Sequence, residues 1–154
     1  MNEEYKMLKF KTFLNESNNI KYVYHSTHDN AAKNILKHNY FRVSKNVETG
    51  VPGLSTTFDS KYIWGAGDVR FKIDLNKIKK KYKTINVDTL PTIENESEIL
   101  IINDGAILNI NKYIESIDVK NNSSVIDQAI EYGKKYNIKI NKVDKFKWKH
   151  SKHF

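Results

Sequence analysis

Residues 68–75, DVRFKIDL, alternate strictly: Val69, Phe71, Ile73 and Leu75 fall on one face of an extended chain, and Arg70, Lys72 and Asp74 fall on the other. A strand of this kind needs backbone partners on its edges and an apolar layer over one side. A second segment narrows the choice further. In ENESEILII, residues 94–102, the run Ile99, Leu100, Ile101 and Ile102 is apolar on both faces, so this strand enters a core with Glu98 as its last charged residue.

The remaining segments supply the layers around those two strands. Met7, Leu8, Phe10 and Leu14 recur at helical intervals, predicting a short helix within residues 1–16. NIKYVYHS reads as a strand ending near His25, and Asp29 or Asn30 can cap a helix that runs to about His38 with Ala31, Ala32, Ile35 and Leu36 on one face. Residues 41–52 carry Gly50 and Pro52 without a period and read as a loop with room for one short strand. GLSTTF is a brief β segment, and residues 59–67 read as a helical turn broken by Gly65 and Gly67. TINVD is strand-like, and NKYIESIDV is a helical turn leading into a strand. Ser123 or Ser124 caps a helix with Val125, Ile126, Ala129 and Ile130 inward, and NIKINKVDKFKW closes with β character. Short strands outnumber helices and follow one another late in the chain. The expected class is therefore α+β with a mostly antiparallel sheet, in a single domain over residues 1–154 with a basic tail at 145–154.

No apolar stretch approaches the ~18 residues of a membrane span, and the N-terminal segment lacks a long apolar region with a small-residue cleavage site. The expectation is a cytoplasmic protein that does not enter membranes. With no cysteine, disulfide and thiolate chemistry are excluded. Lys and Arg number 26 against 18 acidic residues, a formal charge of +8 that favours an acidic partner. Arg42 and Arg70 are the only arginines among them, and abundant lysine, asparagine and isoleucine also arise from an AT-rich genome. Scarce arginine counts against bidentate recognition of phosphate and guanine edges.

Candidate chemistry gathers at three places. His25-Ser26-Thr27 stands at a strand-to-helix turn, where a helix N-terminus also attracts anions, although such residues can equally serve as turn and cap. If residues 94–98 are extended, Glu94, Glu96 and Glu98 share one face, and Glu98 at the mouth of a buried strand can present a fixed negative charge to a developing cation, although the same pattern also reads as an exposed strand end with solvated acids. Ser55, Thr56 and Thr57 follow Gly53 in a β run, and Tyr62 or Trp64 could stack on a heterocycle. Pairs such as His25 with His28 lack further ligands, so no metal site is expected. GAGDVR lacks the third glycine of a dinucleotide-binding turn and precedes a strand. The tail KFKWKHSKHF alternates basic and aromatic residues, as a nucleic-acid strand or a solvated terminus would use.

Taken in order, a His-Ser/Thr pair leading into AAKNIL, a Gly-Leu-Ser-Thr-Thr strand and a Glu-Ser-Glu opening an apolar strand resemble the ADP-ribosyltransferase superfamily over about residues 22–119. Small phage and bacterial members also carry strands like DVRFKIDLNKI and endings like ILNINKYI. The resemblance implies a split core of two mostly antiparallel sheets that binds NAD. It implies that His25 holds the adenosine-side ribose, that Ser26 or Thr27 supports the nicotinamide-binding backbone, and that Ser55 and Thr56 wall the nicotinamide pocket with Tyr62 or Trp64 on the ring. Glu98 would bind the nicotinamide ribose and stabilise the oxocarbenium-like centre, and Glu96 would assist the acceptor. The leading His is similar to the poly-ADP-ribose polymerase-like branch, whereas Ser55-Thr56-Thr57 and the Glu96-x-Glu98 spacing resemble the arginine-modifying toxins. That mixture leaves the acceptor open between a protein side chain, a nucleic-acid base, a terminal phosphate and water.

The expected function is an NAD-dependent mono-ADP-ribosyltransferase, a glycosyltransferase acting on a macromolecular acceptor, with a phage-encoded modifier of a host or defence protein as the leading case. Two alternatives stand beside it. One is an RNA 2'-phosphotransferase-like or nucleic-acid ADP-ribosyltransferase, and the other is a non-enzymatic basic binding module on the same scaffold.

Overall fold

The computed structural model describes residues 19–47, 49–63, 67–87, 97–144 and 149–150. The helix expected within residues 1–16 lies outside them. The elements run β1 (Tyr22–Thr27), α1 (Asp29–His38), β2 (Tyr40–Phe41), β3 (Ser44–Lys45), β4 (Pro52–Thr57), β5 (Tyr62–Ile63), β6 (Val69–Asp74), α2 (Leu75–Lys79), β7 (Lys83–Asn86), β8 (Glu98–Ile102), β9 (Ile107–Leu108), a 3-10 turn (Ile110–Lys112), β10 (Ile114–Lys120), α3 (Ile126–Tyr136), β11 (Lys139–Val143) and β12 (Lys149–His150). The result is a mixed α+β architecture whose sheet is mostly antiparallel, as the strand pattern predicts.

Eight strands form the main sheet in the order β11-β10-β6-β1-β4-β8-β7, with β3 added on β4. Every pairing in it is antiparallel except β10 with β11, which are joined through α3. The sheet is not uniform. β1 matches β6 along its whole length, from Tyr22↔Asp74 to Thr27↔Val69, yet it meets β4 at one Cα pair, Tyr24↔Thr57. Because β8 occupies the other edge of β4 from Gly53 to Thr57, β3 must lie on the edge that β1 leaves, opposite Pro52 and Gly53. Two four-stranded halves therefore meet at one end and part at the other.

One apolar cluster underlies both halves. Val23, Val69, Phe71, Ile73, Ile117 and Val119 come from the first half and Leu54, Ile99 and Ile101 from the second, packed against Ala32, Ile35 and Leu36 of α1 and Ala129 and Tyr132 of α3. At ~1.5–3 kcal/mol for each large aliphatic or aromatic side chain removed from water, this cluster is the main source of stability. Gly53 lets the second half close. A Cβ there would stand 2.5 Å from the Ile101 carbonyl oxygen and 2.9 Å from Leu100 Cδ1, too close for any other residue without a backbone shift.

Several local expectations change. The N-cap of α1 is His28, with no side-chain cap bond, while Asp29 is the first helical residue and its carboxylate accepts from the Ser123 hydroxyl and from Ser124 N and Oγ at 3.3 Å. The N-cap of α3 is Val125, and Ser123 Oγ accepts from Val125 N at 3.2 Å. Asp29 and the two serines thus tie two helix starts together across about ninety residues of chain. The stretch expected as a helical turn at 59–67 has Tyr62–Ile63 in a strand instead, paired with Lys149–His150, so the basic tail is not a free end at that point. The loop over 41–52 does hold one short strand, β3, as its reading allowed.

Arg70 departs furthest from its expected solvent face. It is 6% exposed and lies 4.5 Å over the Tyr24 ring. Its Nε and Nη2 donate to Asp118 Oδ2 at 3.3 and 3.1 Å, and Asn141 Nδ2 donates to Asp118 Oδ1 at 2.9 Å. The ion-pair side chains are 7% and 14% exposed, so removing one partner leaves a charge that water does not reach. Asp118→Ala is expected to cost about 3–5 kcal/mol in urea unfolding, and the paired change Arg70→Met/Asp118→Leu should recover most of that loss. A loss below about 1 kcal/mol for Asp118→Ala would mean that the pair behaves as a solvated surface bridge.

Candidate functional site

The opening between β1 and β4 collects the polar residues that the apolar core cannot use. Past Tyr24 the two strands no longer share backbone hydrogen bonds, and a side chain takes over. His25 Nδ1 lies 3.0 Å from the Ser55 carbonyl oxygen. A carbonyl only accepts, so Nδ1 carries the proton and Nε2 keeps its lone pair in the neutral ring. Phe41 holds the imidazole from the other side, edge-on at 5.5 Å, and Phe41 itself rests edge-on against Phe71 at 5.3 Å. Burial is the dominant influence on His25 and pulls it below its ordinary 6.5; the hydrogen bond to Ser55 opposes this and is weaker.

Ser55 connects His25 to the acidic side of the site. By the β4–β8 register, Ser55 and Thr57 share a face with Glu98 and Leu100. Asn46, immediately after β3, donates from Nδ2 to Glu98 Oε2 at 3.2 Å and to Ser55 Oγ at 3.4 Å. Its own Oδ1 accepts from Thr49 N at 2.9 Å and Thr49 Oγ1 at 3.1 Å, which fixes the amide orientation. A relay of His25, Ser55, Asn46 and Glu98 thus spans the opening. Glu98 is 3% exposed, a carboxylate withdrawn from water and not a solvated acid at an exposed strand end.

The residue before Glu98 is in an uncommon conformation. Ser97 has φ +57°, in the left-handed region that costs a non-glycine residue on the order of 1 kcal/mol, and its carbonyl accepts from Phe58 N at 3.0 Å. The other non-glycine residues with positive φ are asparagines, namely Asn39, Asn109 and Asn137, which tolerate it. Strain next to the buried carboxylate aims Glu98 as it enters β8.

Beside His25 the fold encloses a cavity of about 340 Å³. His25 and Thr27 of β1, Asn30 and Asn34 of α1, Tyr40 and Arg42 line it. Apolar walls with a few convergent polar groups are what a small-molecule site needs. Asn46, Asn30, Asn34 and Arg42 were not singled out from the sequence. Asn30 and Asn34 were legible as one helical face four residues apart, whereas Asn46 stands in an aperiodic stretch that signals nothing.

Not every expected residue joins this group. Ser26 pairs with Arg70 on the face of β1 opposite His25. Thr56 lies on the opposite face of β4 from Ser55, is fully buried, and donates from Oγ1 to the Ile99 carbonyl at 2.6 Å. It clamps β4 to β8 instead of walling a pocket with Ser55. The backbone of Tyr62 belongs to β5, while Glu96 and Trp64 lie outside the described residues. Among the described residues no three His, Asp or Glu side chains cluster as metal ligands, and no helix is long and apolar enough to cross a membrane. No protein-family model matches the chain, and no curated protein sequence matches it.

The lowered His25 sets a direction for acid sensitivity. Above about pH 6.5 both folded and unfolded chains hold it neutral; below that the unfolded chain takes up the proton first, so stability falls as pH drops towards the folded pKa, by up to about 1.4 kcal/mol per pH unit. Urea midpoints measured between about pH 7 and pH 5 should drop for the native protein and drop less for His25→Gln. Equal drops in the two proteins would remove His25 as the source.

Proposed function

We propose that the chain is an NAD-dependent mono-ADP-ribosyltransferase, with the opening between β1 and β4 as its active site. The observation that carries this reading is the hydrogen-bonded relay from His25 through Ser55 and Asn46 to Glu98, because it joins the three motifs whose order resembles that superfamily. Two four-stranded halves that part past a single Cα pair also agree with the split core which the resemblance implies.

The chemistry follows from the groups present. His25 Nε2, an acceptor in the neutral ring, suits a ribose hydroxyl, and Arg42, which also lines the cavity, suits a diphosphate oxygen. The cavity takes one nucleoside end of NAD and leaves the nicotinamide ribose towards Ser55 and Glu98. As the C–N bond breaks, nicotinamide departs with the bonding electron pair and positive charge develops at the ribose C1. The buried Glu98 carboxylate opposes that charge where little water screens it. An acceptor nucleophile then bonds to C1 and releases its proton. A protein acceptor remains the first choice.

Calorimetric titration with NAD tests the pocket, and release of nicotinamide tests the chemistry. His25→Ala should weaken NAD binding tenfold or more, about 1.4 kcal/mol. Glu98→Gln should bind NAD yet lose on the order of 10² to 10⁴ in turnover while keeping the native unfolding midpoint. No heat at millimolar NAD would sink the reading, and full turnover by Glu98→Gln would move the chemistry to another residue.

A further inference from the structure

A second surface lies at the far end of β1 from His25. The run KIKKKYK, residues 77–83, places five lysines in seven positions, and all five are exposed. Ile78 is fully buried and accepts at its carbonyl from Lys81 N at 3.1 Å and Tyr82 N at 3.0 Å, so the chain wraps around one apolar pin and turns Lys77, Lys79, Lys80, Lys81 and Lys83 outward. Leu75 N donates to the Lys21 carbonyl at 3.0 Å, which brings the start of β1 beside α2. There Lys72 Nζ stands 4.2 Å and Lys21 Nζ 5.3 Å from the Tyr22 ring centroid, and Lys81 Nζ stands 5.7 Å from that of Tyr82. Lys79 to Thr84 line an open depression of about 480 Å³.

Among the described residues this charge is uncompensated: none of the five ammonium groups is paired with a carboxylate. Asp74, the one acid between residues 69 and 87, caps α2 by accepting from Lys77 N at 3.0 Å. Lys83 also sits on the edge strand β7, where lysine discourages edge-to-edge pairing, but Lys77 to Lys81 precede that strand. Like charges within a Debye length repel one another until a polyanion neutralises them.

We propose that this lysine surface, with Tyr22 and Tyr82 set among the charges, binds single-stranded nucleic acid along its phosphate backbone without reading its sequence. The absence of arginine from the patch is the argument for indifference to sequence, since a lysine is a point charge and the guanidinium fork that reads base edges is missing. Tyrosine rings amid lysines suit unpaired bases better than a lipid headgroup layer. A membrane-binding face would add exposed large apolar residues, and the two among the described residues, Val47 and Leu108, lie elsewhere. The proposal is independent of the NAD reading.

Fluorescence anisotropy of a labelled single-stranded oligonucleotide and of its duplex, over a sodium chloride series, tests it on the full chain. Equimolar phosphatidylcholine–phosphatidylserine vesicles are titrated in parallel. Expected is binding to single strands of any sequence, with log affinity falling linearly against log salt. In Lys79→Gln/Lys80→Gln/Lys81→Gln the slope should shrink by about 2, and low-salt affinity should fall at least about tenfold. The tail variant Lys145→Gln/Lys147→Gln/Lys149→Gln/Lys152→Gln should keep most of the native slope. No binding by the native protein, equal slopes for native and triple variant, loss confined to the tail variant, tighter binding of duplex, or preference for the vesicles would each overturn the proposal. NAD heats should match between native protein and triple variant, so failure here and failure of the NAD pocket remain separate results.

Discussion

The single Cα pair between Tyr24 and Thr57 is the constraint on which the rest of the site depends. Had β1 continued along β4, its backbone would have saturated the edge of β4, and His25 would have been one more core-facing strand residue. Parting there leaves the Ser55 carbonyl without a strand partner at a position where a buried acceptor must find a donor. The His25 imidazole supplies it, and in doing so fixes its own tautomer. The same parting admits β3 to the vacated edge, and Asn46, the next residue, thereby reaches both Ser55 and Glu98.

An opening of this kind stays in shape only if the helices over it cannot slide. At the start of α1, Asp29 is held by Ser123 and Ser124. Burial alone would raise that carboxyl, but the hydrogen bonds from both serines, with Lys33 nearby, outweigh it and hold Asp29 below the usual carboxylate range. At the end of α1, Asn39 adopts φ +55°; its Oδ1 accepts from Tyr132 OH at 2.6 Å and from Asn111 N at 3.1 Å, while its Nδ2 donates to Asn111 Oδ1 at 2.7 Å. One end is fixed by a carboxylate and the other by an amide, both reaching α3 or the turn before β10. The asparagine-rich composition therefore has a structural use, since Asn39, Asn109 and Asn137 all occupy the left-handed conformation at element boundaries.

Alternation made β1 and β6 legible in the amino-acid sequence, and an apolar run and a cluster of β-favouring residues did the same for β8 and β4, because these local signals were not overridden by tertiary packing. The four apolar residues after Glu98 marked where its strand enters the core, but left open whether the carboxylate is solvated or buried; the fold buries it beside Asn46. What periodicity could not carry is pairing. That β1 meets β4 at one point depends on residues thirty positions apart, and the roles of Asn46 and β3 follow from that gap. Arg70 misled for a related reason. Its strand alternates cleanly, but the second face is covered by contributions from Tyr24, Asp118 and Asn141 on three other strands. Helix starts were misplaced by one or two residues because Asp29, Ser123 and Ser124 bond to each other across the fold instead of each capping its own helix.

The two arginines and the lysines occupy separate environments, and the division follows from their chemistry. Arg70 is enclosed, where a planar, permanently charged fork can satisfy Asp118 and the Ser60 carbonyl together. Arg42 lines the His25 cavity, where a guanidinium fork can orient a small anion. The five lysines at 77–83 are strongly hydrated point charges on flexible stems, and they cover an exposed surface with one open depression. A genome bias towards lysine would raise the lysine count evenly along the chain; it would not concentrate five around one buried isoleucine while arginine stands at a buried sheet position, Arg70, and beside the His25 cavity, Arg42. Charge magnitude alone therefore carries little about this protein, whereas the choice of cation at each position separates a site built for orientation from a surface built for attraction.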